Sequence, residues 1–315
     1  MNLKRNKRGV FPARPEFYVQ TGSMFENPYG VPPDEIVRMI LENPPEVSAQ
    51  VVFGKYVESS GLVFTGELIQ QMFDRTRDVV RSNSWHDRHT AEQARLQFLQ
   101  YGWFNNRFYT GLDFARQTDY TVILTIDTAR LPAQVVYYKR LNRVPWDTIY
   151  AEVGKARAMF GPNMIGDSTG MGGDVVLDAL ESRRFCPEHG VAVLNDSRCI
   201  GRNGQPLTCI PEDYLPLSCV ERFDFNPLGM SSGKKRLVDH LRNCLSVGYM
   251  ASRISGEEFG WLRSPPIPQL EEELSFYSWD DKGMETDSMF ALALAAWHGL
   301  EDPVKDAIVG SVYGR

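Results

Sequence analysis

Three aspartates each stand at a boundary between a run of apolar residues and a turn or helix. Asp113 closes a β-rich run, Asp167 closes a second, and Asp287 opens a segment rich in alanine and leucine. A carboxylate at the end of an apolar strand loses solvation, and pairing, hydrogen bonding or metal binding offsets that cost. Three such carboxylates at one place form a set of hard oxygen ligands suited to Mg²⁺ or Mn²⁺. The pattern therefore predicts a divalent-metal centre.

The elements that must position these aspartates follow the order of a mixed sheet. Three β-rich runs, at 108–113, 120–127 and 134–140, are separated by short polar turns and predict an antiparallel meander. The later predicted elements are a helix at 145–160, a strand ending at Asp167, a helix at 174–184, a strand at 191–194, and helices at 234–245 and 287–297. This order predicts an α/β fold, with a mixed β-sheet flanked by helices.

The predicted topology would bring the aspartates together. Because a helix crosses between them, the first strand and the strand that ends at Asp167 can lie parallel and adjacent. Asp113 and Asp167 then share the carboxyl edge of the sheet, where open α/β sheets place their sites. Asp287 would join them from the first turn of the last helix, where the helix dipole favours a carboxylate.

Composition limits the class of protein. The 315 residues are enough for one to three domains, and the hydrophobic fraction of 43% is ordinary for a globular protein. The sequence has no apolar run of the roughly 18 residues that span a membrane, and its basic start lacks the apolar stretch of a signal peptide. The net charge of −6 argues only weakly against nucleic-acid binding, because a local patch can differ from the whole. We expect a soluble, cytosolic protein.

The N-terminal third is interrupted by turn signals. A short amphipathic helix is predicted at 34–42 and a polar helix at 92–99, but neither would support a core of its own. The predicted division of the chain is an N-terminal arm and linker at 1–104, a main domain at 105–302 with an insertion near 195–220, and a C-terminal tail at 303–315.

Five cysteines crowd into one stretch of the chain. They are Cys186, Cys199, Cys209, Cys219 and Cys244. Their odd number does not suit a secreted disulfide framework. Structural zinc sites usually show pairs of ligands at short spacing, and here only Cys186 and His189 are close in sequence. The spacing therefore favours free thiols over a zinc site.

Three motifs together resemble a known nuclease family. Residues 111–115, with Asp119 shortly after them, look like the opening motif of the nuclease domain of tailed-bacteriophage terminase large subunits. Residues 167–172 resemble its second acidic motif, and residues 287–295 resemble its third, in which an acidic residue precedes an alanine- and leucine-rich helix. The motifs follow the order of that family over residues 108–300.

This resemblance implies an RNase H-like fold and a metal-dependent endonuclease that cuts double-stranded viral DNA during genome packaging. It implies that Asp113, Asp167 and Asp287 are catalytic and hold two Mg²⁺ or Mn²⁺ ions, with Asp113 as the bridging ligand. Asp119 is either an auxiliary metal ligand or a turn residue. The candidates for contacts to DNA phosphates are Lys234 and Lys235.

The resemblance also implies partners. They are double-stranded DNA, a terminase small subunit, a viral portal and a motor ATPase, in the cytoplasm of the bacterial host and with no membrane. The stretch at 229–235 is not the phosphate loop of such a motor, because it has one residue too few between its glycines and no Ser or Thr after the lysine. The ATPase is therefore expected on another chain, or on a part of the protein beyond this sequence.

The third motif departs from the family pattern, which pairs two acidic residues after a histidine. Here Glu285 and Asp287 are separated by Thr286, and Glu285 could substitute in part. Two alternatives stay open from the sequence: another RNase H-like nuclease of the resolvase or transposase type, and a non-cleaving module that docks packaging machinery onto a portal. The three retained aspartates favour a nuclease over the docking module.

Overall fold

The chain divides into two compact units, Met1–Ser60 and Gly61–Arg315. In the first unit, helix α1 spans Pro33–Glu42, which agrees with the helix predicted there. The computed structural model describes residues 23–24, 30–42, 51–53, 62–104, 106–114, 120–201, 204–226, 232–246, 260–279 and 284–300. The predicted C-terminal tail lies outside these ranges, and the predicted domain boundaries at 104/105 and 302/303 stay predictions.

One mixed sheet organises the second unit. Its meander consists of β2 (Phe108–Asp113), β3 (Thr121–Asp127) and β4 (Ala133–Leu141), which pair antiparallel as predicted. Strand β5 (Met164–Asp167) runs parallel to β2, and β9 (Val220–Phe223) runs parallel to β5, so the order across the sheet is β4-β3-β2-β5-β9. A meander extended by two parallel strands beside its first strand is the RNase H-like arrangement.

Two short strands add to the far side of the meander. Both pair with β4: β1 (Ser84–His86) runs antiparallel to it, and β10 (Leu262–Arg263) runs parallel to it. Residues from the segment that the sequence suggested to be an arm therefore belong to this sheet.

Helices cover both faces of the sheet. The first face carries α2 (Gly66–Met72), α6 (Ser232–Ser246), α7 (Pro268–Phe276) and α8 (Asp287–Gly299), and the second carries α3 (Arg88–Tyr101), α4 (Trp146–Phe160) and α5 (Gly170–Glu181). Strand β3 is buried on both sides, since Val122 and Leu124 pack under the first group of helices and Ile123 under the second. None of the described helices is both long and apolar enough to cross a bilayer.

The positions predicted for two elements were wrong. The helix predicted at 174–184 begins at Gly170 and ends at Glu181. Residues 191–194, predicted as the next strand of the main sheet, instead join a second sheet. The strand that lies beside β5 in the main sheet is β9, an edge strand whose exposed Glu221 and Arg222 interrupt the apolar pattern.

The second sheet forms a small lobe, residues 183–216, inserted between α5 and β9. Its strands are β6 (Arg183–Cys186), β7 (Val191–Leu194) and β8 (Leu215–Pro216), in the order β7-β6-β8. Phe185 pairs with Leu215 in an antiparallel register, and the N–H of Leu217 donates to the carbonyl of Arg183 at 3.0 Å. The two chain segments that connect the lobe to the main sheet therefore lie side by side.

Candidate active site

Asp113 and Asp167 end two neighbouring parallel strands. In the ladder between β2 and β5, Leu112 is registered with Gly166, so the two aspartates follow at the next position on each strand. Adjacent strands lie about 4.8 Å apart. The predicted juxtaposition of Asp113 and Asp167 at the carboxyl edge is therefore present in the structure.

Both aspartates face helix α8. A Cβ added to Gly111 would meet the backbone of α8 at Ala291 and Ala295, so this side of β2 lies directly against the helix. Side chains two residues apart on a strand point to the same face of the sheet, so Asp113 also faces α8. On β5, Ile165 packs in the core beneath α8, which places Asp167 on that side as well.

Asp287 reaches the same edge from the start of α8. The helix runs antiparallel to β2, because Gly299 lies against Tyr109 while Ala291 and Ala295 lie over Gly111. One turn before Ala291, Asp287 is therefore level with Asp113.

A hydrogen bond fixes the position of the Asp287 carboxylate. The N–H of Tyr120, just before β3, donates to Asp287 Oδ2 at 3.2 Å. Two residues along that strand, Val122 pairs with Asp113. The structure thus brings the three sequence-predicted aspartates to one edge and one face of the sheet.

The site is partly desolvated and strongly acidic. Asp113 and Asp287 are each only 8% exposed. Burial raises the pKa of Asp167, the charges of Asp224 and Asp174 add to the rise, and hydrogen bonds from Thr169 oppose it. Crowded carboxylates of this kind are stabilised by a bound cation.

Asp224 is an acidic residue of this edge that the sequence interpretation missed. It directly follows β9, whose Phe223 is registered with Asp167. The missed signal was an aspartate directly after a third strand that reaches this edge, and the sequence placed that strand at 191–194 instead. Asp119, the predicted auxiliary ligand, lies outside the described residues.

The two predicted DNA-contacting lysines have different surroundings. Lys234 Nζ lies 5.1 Å from the ring centroid of Phe290, in the first turn of α8. Lys235 is 69% exposed, and its Nζ lies 3.5 Å from Asp239 on its own helix. The structure therefore places Lys234, and not Lys235, beside the helix turn that carries Asp287.

A buried network anchors the start of α8. The side chain of Thr286, the residue before α8, does not cap the helix. The carboxylate of Glu273 in α7 takes this role by accepting the N–H of Met289 at 2.8 Å. Ser288 shares a hydrogen bond of 3.1 Å with Tyr138 of β4. These contacts fix the first turn of α8 and with it the position of Asp287.

Glu285 forms an ion pair with Arg140. Its Oε2 accepts a hydrogen bond from the guanidinium of Arg140 at 2.6 Å. Arg140 also lies 3.7 Å from Glu273 Oε1 and stacks over the ring of Tyr120. Glu285 therefore contacts the network that supports α8, and its suggested part in metal binding stays a prediction.

Comparison with known proteins finds similar solved structures but no similar sequence. No protein-family model and no curated protein sequence matches the chain. The large terminase nuclease from thermophilic phage G20c, solved with bound magnesium, has a TM-score of 0.45 and 14% identity, covering 75% of this chain and 97% of that one. The same nuclease solved with bound zinc has a TM-score of 0.38 and 18% identity, covering 60% and 80%. Both are terminase nucleases.

That is the kind of protein that the sequence motifs resemble. Both identities lie below 25% and both TM-scores lie below 0.5. The function of this chain is therefore inferred from its own residues.

Proposed function

We propose that this chain is a metal-dependent endonuclease, the nuclease part of a phage terminase large subunit. The observation that carries the proposal is the convergence of Asp113, Asp167 and Asp287 at one edge and on one face of an RNase H-like sheet. The order of the three acidic motifs along the chain supports the terminase type within RNase H-like nucleases. The proposed substrate is double-stranded viral DNA, cut during genome packaging.

The three aspartates have different proposed roles. Asp113 lies between the other two, since β2 is flanked by β5 and covered by the start of α8, and it is the proposed shared ligand. Asp167 and Asp287 would each hold one of two Mg²⁺ or Mn²⁺ ions. Such ions, when bound, lower the pKa of a water and stabilise the charge on the leaving oxygen. The hydrogen bond from Tyr120 holds Asp287 in place for this task.

Lys234 is the proposed contact to the DNA backbone. Its position beside Phe290 is within one helix turn of Asp287. An ammonium group there would bind a phosphate next to the scissile bond and would offset part of the repulsion between DNA and the acidic edge. Contacts to phosphate carry no base information, so we expect little sequence preference.

The proposed setting follows from the proposed function. A packaging nuclease works with a motor ATPase, a terminase small subunit and a viral portal, in the cytoplasm of the bacterial host. We propose these partners together with the DNA substrate.

Cleavage of supercoiled plasmid tests the proposal. The purified chain should nick and linearise plasmid with Mn²⁺ or Mg²⁺ and should be inactive in EDTA. Metal ions contribute several kcal/mol to stabilising the transition state, so Asp113→Asn should reduce the rate about 100-fold or more. The matched control is Asp147→Asn, an exposed aspartate in the first turn of α4, which should cleave like the wild type.

Two outcomes would contradict the proposal. A folded wild-type chain that neither cuts DNA nor binds Mg²⁺ or Mn²⁺ by calorimetry would indicate a docking module. Cleavage that survives Asp113→Asn would show that other residues hold the metal.

A further inference from the structure

The small lobe brings together four residues that are dispersed in sequence. Cys186 ends β6, His189 lies in the turn that follows, and Cys199 and Cys209 come from the segment between β7 and β8. One ligand atom from each of the four residues lies within 4.8 Å of the other three. The sequence spacing favoured free thiols over a zinc site, because only Cys186 and His189 are close in sequence and the approach of Cys199 and Cys209 depends on the lobe's fold.

The separation of Cys186 and His189 suits a tetrahedral metal site. With Zn–S bonds of about 2.3 Å and Zn–N bonds of about 2.0–2.1 Å, tetrahedral geometry places S and N about 3.5 Å apart and two S atoms about 3.8 Å apart. Cys186 Sγ lies 3.4 Å from His189 Nδ1. The turn that holds this pair is closed by the N–H of Gly190, which donates to the Cys186 carbonyl at 2.9 Å, with a φ of 66° that suits glycine.

The lobe has almost no apolar core. Its buried cluster consists of the three cysteines and Tyr214, with Val193 and Leu207 packed at the edge. Phe185 of β6 is buried, but it packs against helix α4 of the main sheet, and Val191, Leu194, Ile200 and Ile210 are largely exposed. A unit of this size with so few apolar contacts among its own residues usually needs a disulfide or a metal. None of the three cysteines forms a disulfide, so a metal ion could supply the cross-link.

The hydroxyl of Tyr214 contacts two of the sulfur atoms. Its hydroxyl lies 2.8 Å from Cys209 Sγ and 3.3 Å from Cys199 Sγ, and it accepts the N–H of Cys199. The hydroxyl has one proton, which it can donate to either sulfur while its oxygen accepts that N–H. Hydrogen bonds to thiolate ligands orient them and tune a metal site.

We propose that Cys186, His189, Cys199 and Cys209 bind one structural Zn²⁺ ion, separate from the acidic edge of the main sheet. Thiolates are soft ligands that select zinc over Mg²⁺ or Mn²⁺. Four protein ligands leave no open position, which is the mark of a structural and not a catalytic zinc. The ion would connect the β6–β7 turn to the segment that carries Cys199 and Cys209, and would take the place of the missing core.

Metal analysis of the full chain tests this site. After gel filtration in metal-free buffer to remove weakly held ions, the wild type should retain one zinc per chain. Cobalt exchanged into the site should show the absorption of tetrahedral thiolate coordination. Cys199→Ser and Cys209→Ser should lose the ion, while the matched control Cys219→Ser should keep it. Asp167→Asn should also keep it, which separates this site from the proposed nuclease centre.

A thiol assay covers the case in which the cysteine variants fail to fold. In the native wild type, Cys186, Cys199 and Cys209 should not react with an alkylating reagent. A mercurial reagent that binds these thiols should release zinc in proportion to the thiols that it occupies. Three results would overturn the proposal: a folded wild type without zinc, a disulfide within the cluster found by mass spectrometry, or equal zinc in Cys199→Ser and Cys219→Ser.

Discussion

Replacing Gly111 by alanine should separate α8 from the sheet. An added Cβ would lie 2.6 Å from the backbone nitrogen of Ala295 and still closer to the carbonyl oxygen of Ala291. Both atoms belong to helix backbone and cannot rotate away, unlike the end of a flexible side chain. Ordinary contacts of this kind require about 3.3–3.6 Å, so the helix must retreat by about 1 Å.

The cost can be worked out from that movement. Overpacking of a close interface lowers the free energy of unfolding by about 1–3 kcal/mol. Replacing glycine by alanine also makes the unfolded chain less flexible, which raises the free energy of unfolding by about 0.4–1 kcal/mol. We expect a net loss of about 1–2 kcal/mol in the free energy of unfolding. Because Asp287 moves with α8, a misplacement of about 1 Å should also lower the cleavage rate by about 100-fold.

Urea unfolding, followed by tryptophan fluorescence, and plasmid cleavage measure the two effects. The control is Gly66→Ala at the start of α2, where an added Cβ meets no atom within 4 Å. That variant should be as stable as the wild type or more stable by up to about 1 kcal/mol. If Gly111→Ala matches Gly66→Ala in both assays, β2 and α8 are not in the close contact described here.

Three further predictions concern charge. Burial raises the pKa of Glu273 from 4.5 to about 7. Its contribution to the free energy of unfolding, about 3 kcal/mol, is therefore fully present below about pH 4.5 and is lost as the pH rises to about 7. Glu273→Gln should flatten this decline in urea midpoints measured in EDTA, and an unchanged slope would exclude Glu273 as its source. Asp224→Asn should lower the pKa of Asp167 by removing a neighbouring negative charge, and should shift the acid limb of the cleavage profile to lower pH, whereas an unmoved limb would place Asp224 outside the site. Lys234→Ala should weaken DNA binding and reduce the slope of log affinity against log salt by about 1, while Lys235→Ala should change both less; equal effects would contradict the assignment.

Much of the main sheet could be predicted because its signals are local. The meander and the strand to Asp167 show dense apolar runs bounded by polar turns, and the start of α8 is marked by a change from polar residues to alanine and leucine. Strand β9 was missed for a physical reason. An edge strand exposes alternate side chains and carries charges such as Arg222, whose guanidinium binds acids of α5.

The rest depends on contacts between distant parts of the chain. No local pattern relates Cys199 to Cys186, because their proximity arises from the pairing of β6 with its two neighbours. The role of Glu273 was equally hidden, since it supplies a helix cap to a segment sixteen residues away. Side chains whose task is set by tertiary structure cannot be recognised by spacing alone.

The connection between the lobe and the main sheet also makes the lobe replaceable. Phe185 and Leu215 face each other across an antiparallel ladder, about 5 Å apart, and a two-residue turn such as Asn-Gly closes a gap of that size. A deletion of residues 186–214 joined by such a turn would keep the chain continuous between α5 and β9, and it would uncover the part of α4 against which β7 packs. The same position could accept a foreign domain whose own termini lie close together. In an evolutionary sense, the point between α5 and β9 is where this fold can gain or lose a whole module.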